Sequence, residues 1–250
     1  MKTELKALIL AAGKGTRLRT EGCDLPKVMR LANEKPLIWY VLKALDFIDP
    51  KDVTIVVGYK KEKVIEAFGQ YDFAVQEQQL GTGHAVMSAA PSLEGFDGEV
   101  LICCGDMPLI TKETYEALVK THFEEKNACT ILAGTTEDLL PYGRIVRDAN
   151  GGFLKMVEDK DCTPEEKQIK ELNAGVYVFS AKELIPALSR LGNNNAQGEY
   201  YLTDVPAFLR EKGLKVGICS RELGSEIIGV NTVEQLKEVE DILKGREKRI

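Results

Sequence analysis

Short apolar runs alternate with helical patterns through the first half of the chain. Short, mostly apolar runs are typical of buried strands, whereas apolar residues spaced three and four apart are typical of one helix face. The predicted strands are 7–10, 53–57, 73–75 and 100–104, and the predicted helices are 36–47 and 60–68. Because helices separate the strands, the pattern predicts crossover connections and an α/β fold with a mainly parallel sheet.

The second half of the chain has a less regular pattern. Its apolar runs predict strands at 144–146, 153–157, 174–179 and 215–219 and a helix at 201–210. Asn150-Gly151-Gly152, between the first two of these strands, is typical of a β-hairpin turn. Capping boxes predict helix starts at Thr163 and Thr232, because Glu or Gln follows each threonine three residues later. The last helix should carry one apolar stripe, formed by Val233, Leu236, Val239 and Leu243.

The composition is that of a globular protein and argues against two function classes. Of 250 residues, 44% are hydrophobic and 29% are charged, which suffices for a core. The formal net charge of −6 argues against a general nucleic-acid-binding surface. No run approaches the ~20 apolar residues of a membrane helix, and the first residues do not resemble a secretory signal. We therefore expect a cytoplasmic protein that binds neither nucleic acid nor membranes.

The six cysteines and two histidines indicate neither a disulfide framework nor a zinc site. No C-x-x-C pair is present, and the cysteines are spread from Cys23 to Cys219. We interpret them as reduced thiols, with Cys103 and Cys104 in the core. Two histidines also argue against a Cys/His zinc centre.

A small, basic loop follows the first predicted strand and reads Leu10-Ala11-Ala12-Gly13-Lys14-Gly15-Thr16-Arg17. Small residues allow backbone N–H groups to approach phosphate oxygens, and Lys14 and Arg17 supply positive charge. The loop lacks the Walker A spacing, and Leu18 stands where a dinucleotide-binding fingerprint has its third glycine. The pattern favours phosphate binding, and a tight structural turn is the alternative. Lys27, in Leu25-Pro26-Lys27, is either a second cation for phosphate or a solvated surface lysine.

Two further segments place polar groups at predicted strand ends. Asp106 follows strand 100–104, where ligands of open α/β sheets bind, and a carboxylate there suits Mg²⁺. The alternative is an aspartate that starts a turn before a proline. Gln76 and the Gly81 backbone can read a nucleobase edge, because an amide both donates and accepts hydrogen bonds. We interpret His84 as orienting this loop rather than titrating in catalysis.

Nine short motifs occur in the order of a known family. They are L-A-A-G-K-G-T-R, L-P-K, Q-L-G-T-G-H-A, G-D-x-P-L-I, Y-G-R-I-V-R, V-E-x-K-D, N-x-G-V-Y, N-N-N-A-Q-G-E-Y-Y-L-T-D and G-V-N, from Leu10 to Asn231. With them the sequence resembles the uridylyltransferase domain of bifunctional N-acetylglucosamine-1-phosphate uridylyltransferase/glucosamine-1-phosphate acetyltransferase. The first loop alone indicates only the wider sugar nucleotidyltransferase superfamily, whereas the third and eighth motifs are much more specific.

The resemblance implies a Rossmann-like nucleotide-diphospho-sugar transferase fold and a reaction that uses Mg²⁺. UTP and N-acetylglucosamine 1-phosphate would give pyrophosphate and UDP-N-acetylglucosamine, a precursor of peptidoglycan and lipopolysaccharide. The sugar phosphate would attack the α-phosphorus in line, without a covalent enzyme intermediate. The catalytic domain would span residues 1–230, and a linker helix would span 231–250.

The same resemblance implies roles for particular residues. Arg17 and Lys27 would stabilise charge on the reacting phosphates, and Asp106 and Asn231 would hold Mg²⁺, with Asn231 also contacting substrate. Nucleotide contacts are implied for Leu10, Ala11, Ala12, Gly13, Lys27, Gln76, Gly81 and Thr82, with Cys104 and Gly105 lining the wall. Sugar contacts are implied for Gly143, Glu158 and Asn173, and Lys160 is a further candidate near the sugar phosphate. Taken singly, Gly143, Asn173 and Asn231 could be ordinary turn or strand-edge residues.

The sequence departs from the family pattern at several positions. Residues 19–24 form a longer link than the family pattern has, Pro141 precedes Tyr142-Gly143, and Met107 follows the Gly-Asp pair. An acetyltransferase half does not follow the last helix, so we expect neither its activity nor the trimer contacts that it supplies.

Three alternative functions stay open. The first is the same chemistry with another sugar phosphate or nucleotide, such as glucose 1-phosphate or dTTP. The second is a catalytically silent sugar-nucleotide sensor, which the presence of Arg17, Lys27 and Asp106 argues against. The third is a Rossmann dehydrogenase, which the residue at position 18 argues against.

Overall fold

A nine-stranded mixed sheet lies at the centre of the computed structural model, which describes residues 4–18, 24–136 and 140–247. The strands are β1 (Leu5–Leu10), β2 (Leu31–Ala32), β3 (Lys35–Pro36), β4 (Val53–Val57), β5 (Asp72–Val75), β6 (Glu99–Cys104), β7 (Cys129–Thr135), β8 (Arg144–Arg147), β9 (Phe153–Val157), β10 (Glu171–Ser180) and β11 (Val216–Arg221). The helices are α1 (Leu37–Ala44), α2 (Lys61–Ala67), α3 (Thr82–Ala89), α4 (Lys112–Glu125), α5 (Ala181–Leu188), α6 (Val205–Glu211) and α7 (Val233–Glu247). None of these helices is long and apolar enough to cross a membrane, within the residues described.

The sheet confirms the prediction of a mainly parallel, mixed arrangement. Its strand order is β11-β7-β10-β6-β1-β4-β5, and the predicted β8–β9 hairpin attaches to β10. Along this order β10 is antiparallel to both of its neighbours, whereas the remaining neighbours pair in parallel. As a result β1, β4, β5 and β6 end at one edge of the sheet, and the reversed strand β10 begins there.

Helices cover both faces of the sheet, because alternate residues of each strand face opposite sides. On β1, Ala7 and Ile9 join a core with α1, α2 and α4, whereas Leu8 joins a second core with α3, α5 and α6. On β6, Leu101 and Ile102 divide between the two cores in the same way. Strands buried on both faces are mostly apolar, which is why short apolar runs predict β1, β4 and β6.

The C-terminal helix α7 packs on the segments that follow β1 and β6. Its buried residues Val239 and Leu243 share a third core with Leu18, Leu37 and Leu109. Thr232 and Gln235 form the predicted capping box, with N···O distances of 3.1 and 3.3 Å. The predicted apolar stripe is wrong at Val233, which is 40% exposed in the first turn.

The sequence pattern misses several elements and overestimates one. It does not predict α4, α5, β7 or the two-residue strands β2 and β3, and α4 is mostly polar with a narrow buried face. Thr163 and Glu166 do form their capping box, with N···O distances of 2.9 and 3.2 Å. The helix predicted at Thr163 is nevertheless wrong, since only the 3₁₀ turn Glu166–Gln168 follows. The chain is extended again at Ile169 as it approaches β10.

Candidate active site

Two adjoining pockets lie at the edge of the sheet where β1 and β6 end. The first contains most of the predicted nucleotide contacts, namely Leu10, Ala11, Ala12, Gly13, Lys27, Gln76, Gly81, Thr82 and Cys104. The second contains the predicted sugar contacts Gly143, Glu158 and Asn173, together with Asn231. The residues common to both linings are Leu10, Thr82, Cys104 and Asp106. The two pockets therefore meet along one boundary, on which Asp106 lies.

Hydrogen bonds to the neighbouring strands fix the loop after β1. The Ala11 N–H donates to the Val56 carbonyl (2.8 Å), and the Gly105 N–H donates to the Leu10 carbonyl (2.9 Å). Gly15 has a φ of +60°, and a Cβ there would lie 2.7 Å from the Cβ of Lys27. Glycine at this position thus allows the segment that carries Lys27 to pack against the loop.

The loop before α3 is held by the segment that follows α5. The Tyr200 N–H donates to the Leu80 carbonyl, and the Gly83 N–H donates to the Tyr200 carbonyl, both at 2.8 Å. Gly81 has a φ of +108°, and a Cβ there would lie 2.6 Å from the Tyr200 carbonyl oxygen. The Leu202 N–H also donates to the Thr82 hydroxyl (3.1 Å). These contacts give a structural role to the N-A-Q-G-E-Y-Y-L-T-D motif, to which the sequence assigned no site residue.

Lys27 connects the two predicted metal ligands. Its ammonium group forms an ion pair with Asp106 and donates to Asn231 Oδ1 at 2.8 Å. The exposed Arg17 donates to the same Asn231 oxygen at 3.2 Å. The Val230 N–H in turn donates to the Asp106 carbonyl (2.9 Å), which ties the start of the α7 segment to the end of β6.

Glu158 lines the second pocket, and burial raises the pKa of its carboxyl. The Thr203 hydroxyl donates to Glu158 Oε1 at 3.0 Å and acts in the opposite direction, while Asp204 and Asp161 add to the rise in pKa. Glu158 Oε2 faces Gly143, at 3.7 Å from the position a Cβ would take. A side chain at position 143 would therefore fill space beside the carboxylate.

A β-bulge in β10 shapes the wall around Asn173. The register to β7 shifts between Asn173 and Tyr177, and Gly175 within the bulge has a φ of +67°. Asn173 Oδ1 accepts from the Gly175 N–H at 3.0 Å, and its amide donates to the Tyr177 hydroxyl at 2.6 Å. These bonds leave the amide one N–H and one lone pair for a ligand. They also account for the N-x-G-V-Y motif.

Arg144 and Thr203 support the second pocket, and the sequence assigned a role to neither. Arg144 is 1% exposed, donates to the Tyr142 carbonyl, and lies 3.6 Å from the Asp159 carboxylate. Arg144 thus joins two segments that carry predicted sugar contacts, because Gly143 precedes Arg144 and Glu158 precedes Asp159 in the chain. Its position in the Y-G-R-I-V-R motif was the available signal, but nothing in that motif indicates burial.

Several candidate residues lie outside the two pockets. Lys14 and Arg17 are exposed on the loop after β1. Gly105 contributes the backbone bond described above, and Lys160 donates to Gln197 at 2.9 Å.

Pro141 and Met107, which depart from the family pattern, both line the second pocket. Residues 19–23 of the long link lie outside the described part of the chain.

Comparison with known proteins places this site in context. The profile of the family described as nucleotidyl transferase matches residues 6–222. Proteins named bifunctional protein GlmU match most of the chain: one from Streptococcus thermophilus is 45% identical over 241 residues, and one from Clostridium novyi is 46% identical over 242 residues. Both matches cover 96% of this chain and 52% of the relative. The chain thus spans about half the length of these relatives.

Solved structures of low sequence identity share the fold. One, described as a glucose-1-phosphate thymidylyltransferase from Bacillus anthracis in complex with sucrose, aligns with a TM-score of 0.73 at 18% identity. That alignment covers 96% of this chain and 95% of the other. HddC from Yersinia pseudotuberculosis, in complex with GMP-PN, aligns with a TM-score of 0.68 at 18% identity over 95% of this chain and 99% of the other. The predicted nucleotide-diphospho-sugar transferase fold is confirmed.

Proposed function

Because this chain belongs to the nucleotidyl transferase family, we propose that it makes UDP-N-acetylglucosamine and pyrophosphate from UTP and N-acetylglucosamine 1-phosphate. The family motifs and the 45–46% identity to bifunctional GlmU proteins support this choice of substrates. The observation that carries the proposal is the pair of pockets with a shared boundary at Asp106. Two substrates bound in adjoining pockets present their phosphates to each other there. The product would serve peptidoglycan and lipopolysaccharide synthesis in the cytoplasm.

The reaction is a displacement at phosphorus. A phosphate oxygen of the sugar phosphate attacks the α-phosphorus of UTP, the bond to the β-phosphate oxygen breaks, and pyrophosphate leaves. The chain contributes positioning and charge stabilisation rather than a covalent intermediate. Lys27, at the boundary, and Arg17, beside Asn231, are the cations assigned to the reacting phosphates.

The backbone of residues 10–13 would contact the nucleotide phosphates, and Gln76, Gly81 and Thr82 would contact its base and ribose. On the other side Glu158 would accept hydroxyl hydrogen bonds from the sugar, as a carboxylate can from two groups. Asn173, with one free donor and one free lone pair, would bind the acetamido group or a hydroxyl. Because Gly143 has no side chain, it leaves space beside both Glu158 and Asn173.

The donor set at the boundary fits Mg²⁺. Asp106 and Asn231 each present an oxygen to the single positive charge of Lys27, so both oxygens already converge on one cation. Mg²⁺ takes few protein oxygens and completes its shell with water and substrate phosphates. Among the described residues, no group of three or more His, Cys, Asp or Glu side chains could hold a metal ion. Bound there, Mg²⁺ would neutralise phosphate charge.

A pyrophosphate-release assay over a panel of nucleotides and sugar 1-phosphates tests the proposal. The panel includes UTP, CTP and dTTP with N-acetylglucosamine 1-phosphate and glucose 1-phosphate. We expect UTP with N-acetylglucosamine 1-phosphate to have the highest kcat/KM. A higher value for dTTP or glucose 1-phosphate would replace the substrates but retain the reaction class.

The variant Asp106→Ala separates an enzyme from a silent sensor. We expect turnover at saturating Mg²⁺ to be largely lost while the circular dichroism spectrum and the unfolding transition are retained. Near-normal turnover would remove Asp106 from the metal site. Binding of the sugar nucleotide without turnover by the wild-type chain would favour the sensor.

A further inference from the structure

The Gln76 side chain is held in one orientation inside the first pocket. It follows β5 and is 3% exposed. Its amide nitrogen lies 3.1 Å from the Gly81 carbonyl oxygen and 3.1 Å from Nδ1 of His84. A primary amide has two N–H donors, and these two contacts use both.

The identity of the acceptors decides which end of the amide meets a ligand. The Gly81 carbonyl can only accept, so the amide nitrogen must face it. His84 Nδ1 then also accepts, which places the proton of the neutral imidazole on Nε2. Rotating the Gln76 amide by half a turn would set its oxygen against the Gly81 carbonyl oxygen, which can only accept. The amide oxygen is therefore the group of Gln76 that remains for a ligand in this pocket.

We propose that His84 is a positioning residue that selects the nucleobase by fixing the Gln76 amide with its oxygen toward the base. This inference rests on the proposed function, because it assumes a nucleotide base in the first pocket. Uracil and thymine carry an N–H donor at N3, which a fixed amide oxygen accepts. Cytosine has an unprotonated N3, whose lone pair would face that oxygen. A site built around one hydrogen bond rejects the base that cannot form it.

The surroundings of His84 keep its ring in place. His84 lies in the first turns of α3, and its ring centroid is 6.2 Å from that of Tyr200. The backbone of Tyr200 bonds to Leu80 and Gly83 on either side of Gly81. The carbonyl and the imidazole that orient Gln76 are thus held by one interconnected loop.

A matched pair of variants tests the role of His84. His84→Leu removes the acceptor, whereas His84→Asn places an amide oxygen near the former position of Nδ1. Ser88→Ala is the control on the same helix, because the Ser88 hydroxyl donates to the His84 carbonyl at 2.9 Å and not to Gln76. UTP and CTP are titrated separately into each 250-residue variant by calorimetry, with Mg²⁺ and without sugar phosphate. The quantity compared is the ratio of the Kd for CTP to the Kd for UTP.

We expect the wild-type chain to bind UTP more tightly than CTP. His84→Leu should lower the ratio about five-fold, the factor that one net hydrogen bond is worth. His84→Asn and Ser88→Ala should keep the wild-type ratio. Equal weakening of both nucleotides in His84→Leu, which lost packing alone would cause, overturns the role of His84 and leaves the proposed function standing. A wild-type chain that does not prefer UTP overturns the uridylyl assignment itself.

Discussion

The ammonium group of Lys27 forms an ion pair with the carboxylate of Asp106 on the boundary between the two pockets. Both side chains are mostly shielded from solvent, at 14% and 19% exposure. Lys27 therefore holds the place on Asp106 that a bound divalent cation would take. In the proposed function, a divalent cation on Asp106 would compete with Lys27 for this carboxylate and would leave the ammonium group available for phosphate.

Lys27→Met should change turnover and metal affinity in opposite senses. Loss of a preorganised positive charge near the reacting phosphates should lower kcat by roughly 10²–10³-fold. Loss of the competing ammonium should lower the free Mg²⁺ concentration that gives half-maximal turnover. Both are measured by pyrophosphate release at saturating UTP over a Mg²⁺ series.

The control for this prediction is Lys51→Met, which removes an exposed lysine paired with Asp49. Lys51 lies just before β4, at the opposite end of that strand from the pockets. It should alter neither quantity. An unchanged or higher half-saturating Mg²⁺ concentration in Lys27→Met would contradict the competition between Lys27 and the metal.

Thr203→Val should move the acid limb of the pH profile to higher pH. Burial raises the pKa of Glu158, and the Thr203 hydroxyl lowers it by bonding to the charged form. Without that bond the pKa of Glu158 rises further, so the carboxylate that we propose to accept sugar hydroxyls is lost at a higher pH. The measurement is kcat/KM for the sugar phosphate from acid to neutral pH.

The raised pKa of Glu158 also determines how the free energy of unfolding depends on pH. A carboxyl whose pKa is raised by folding favours the folded state below its unfolded pKa, and that contribution is lost as pH rises through the folded pKa. Thr203→Val should therefore be least destabilised at acid pH. Thr203→Ser retains a hydroxyl and should resemble the wild type. An acid limb that stays in place in Thr203→Val would show that Thr203 does not act on Glu158.

The first pocket is easier to predict from sequence than the second. The loop at residues 10–17 is continuous, and its position after an apolar strand suffices to place it at a ligand-binding edge. The second pocket instead joins Gly143, just before β8, Glu158, just after β9, and Asn173, within the reversed strand β10. Single-sequence periodicity does not specify that reversal, so these residues came only from the family resemblance.

Buried polar residues were also missed for a physical reason. Arg144 and Thr203 are nearly inaccessible, but polar side chains are mostly exposed in proteins, so sequence alone favours the surface for both. The helix α4 was missed because its buried face includes Thr114 and His122, which do not contribute to an apolar stripe. The contacts that bury such residues come from segments distant in sequence, such as Glu158 for Thr203.

Arg144→Met should lower stability and weaken binding of the sugar phosphate. The variant retains the apolar part of the side chain but removes the hydrogen bond to the Tyr142 carbonyl and the ion pair with Asp159. Breaking a buried pair is strongly destabilising, and the 30% exposure of Asp159 reduces the cost here to about 2 kcal/mol. The KM for the sugar phosphate should rise more than the KM for UTP, because both attached segments border the second pocket.

Urea unfolding and the two KM values test this prediction, and the same motif supplies the control. Arg147 is exposed and forms a bidentate ion pair with Glu171, with a shortest N···O distance of 2.6 Å. Arg147 is 38% exposed, so solvent screens its pair with Glu171, and Arg147→Met should cost less stability than Arg144→Met. Equal unfolding midpoints for the two variants would show that burial does not increase the contribution of Arg144 to the free energy of unfolding.

Gly81→Ala should weaken UTP binding more than it weakens the fold. The φ of +108° is strained for alanine, and the new Cβ would lie 2.6 Å from the Tyr200 carbonyl oxygen. The loop must then move away from Tyr200, which disturbs the Gly83–Tyr200 bond and the carbonyl that orients Gln76. We expect the Kd for UTP to rise at least about ten-fold, as for the loss of ~1.4 kcal/mol of binding free energy.

Gly95→Ala separates strain from contact, since Gly95 also has a positive φ (+72°) but no atom within 4 Å of the new Cβ. It should lower the free energy of unfolding by about 1–3 kcal/mol without changing the Kd. If both variants bind UTP like the wild type, the contact between Gly81 and Tyr200 does not control the nucleotide pocket.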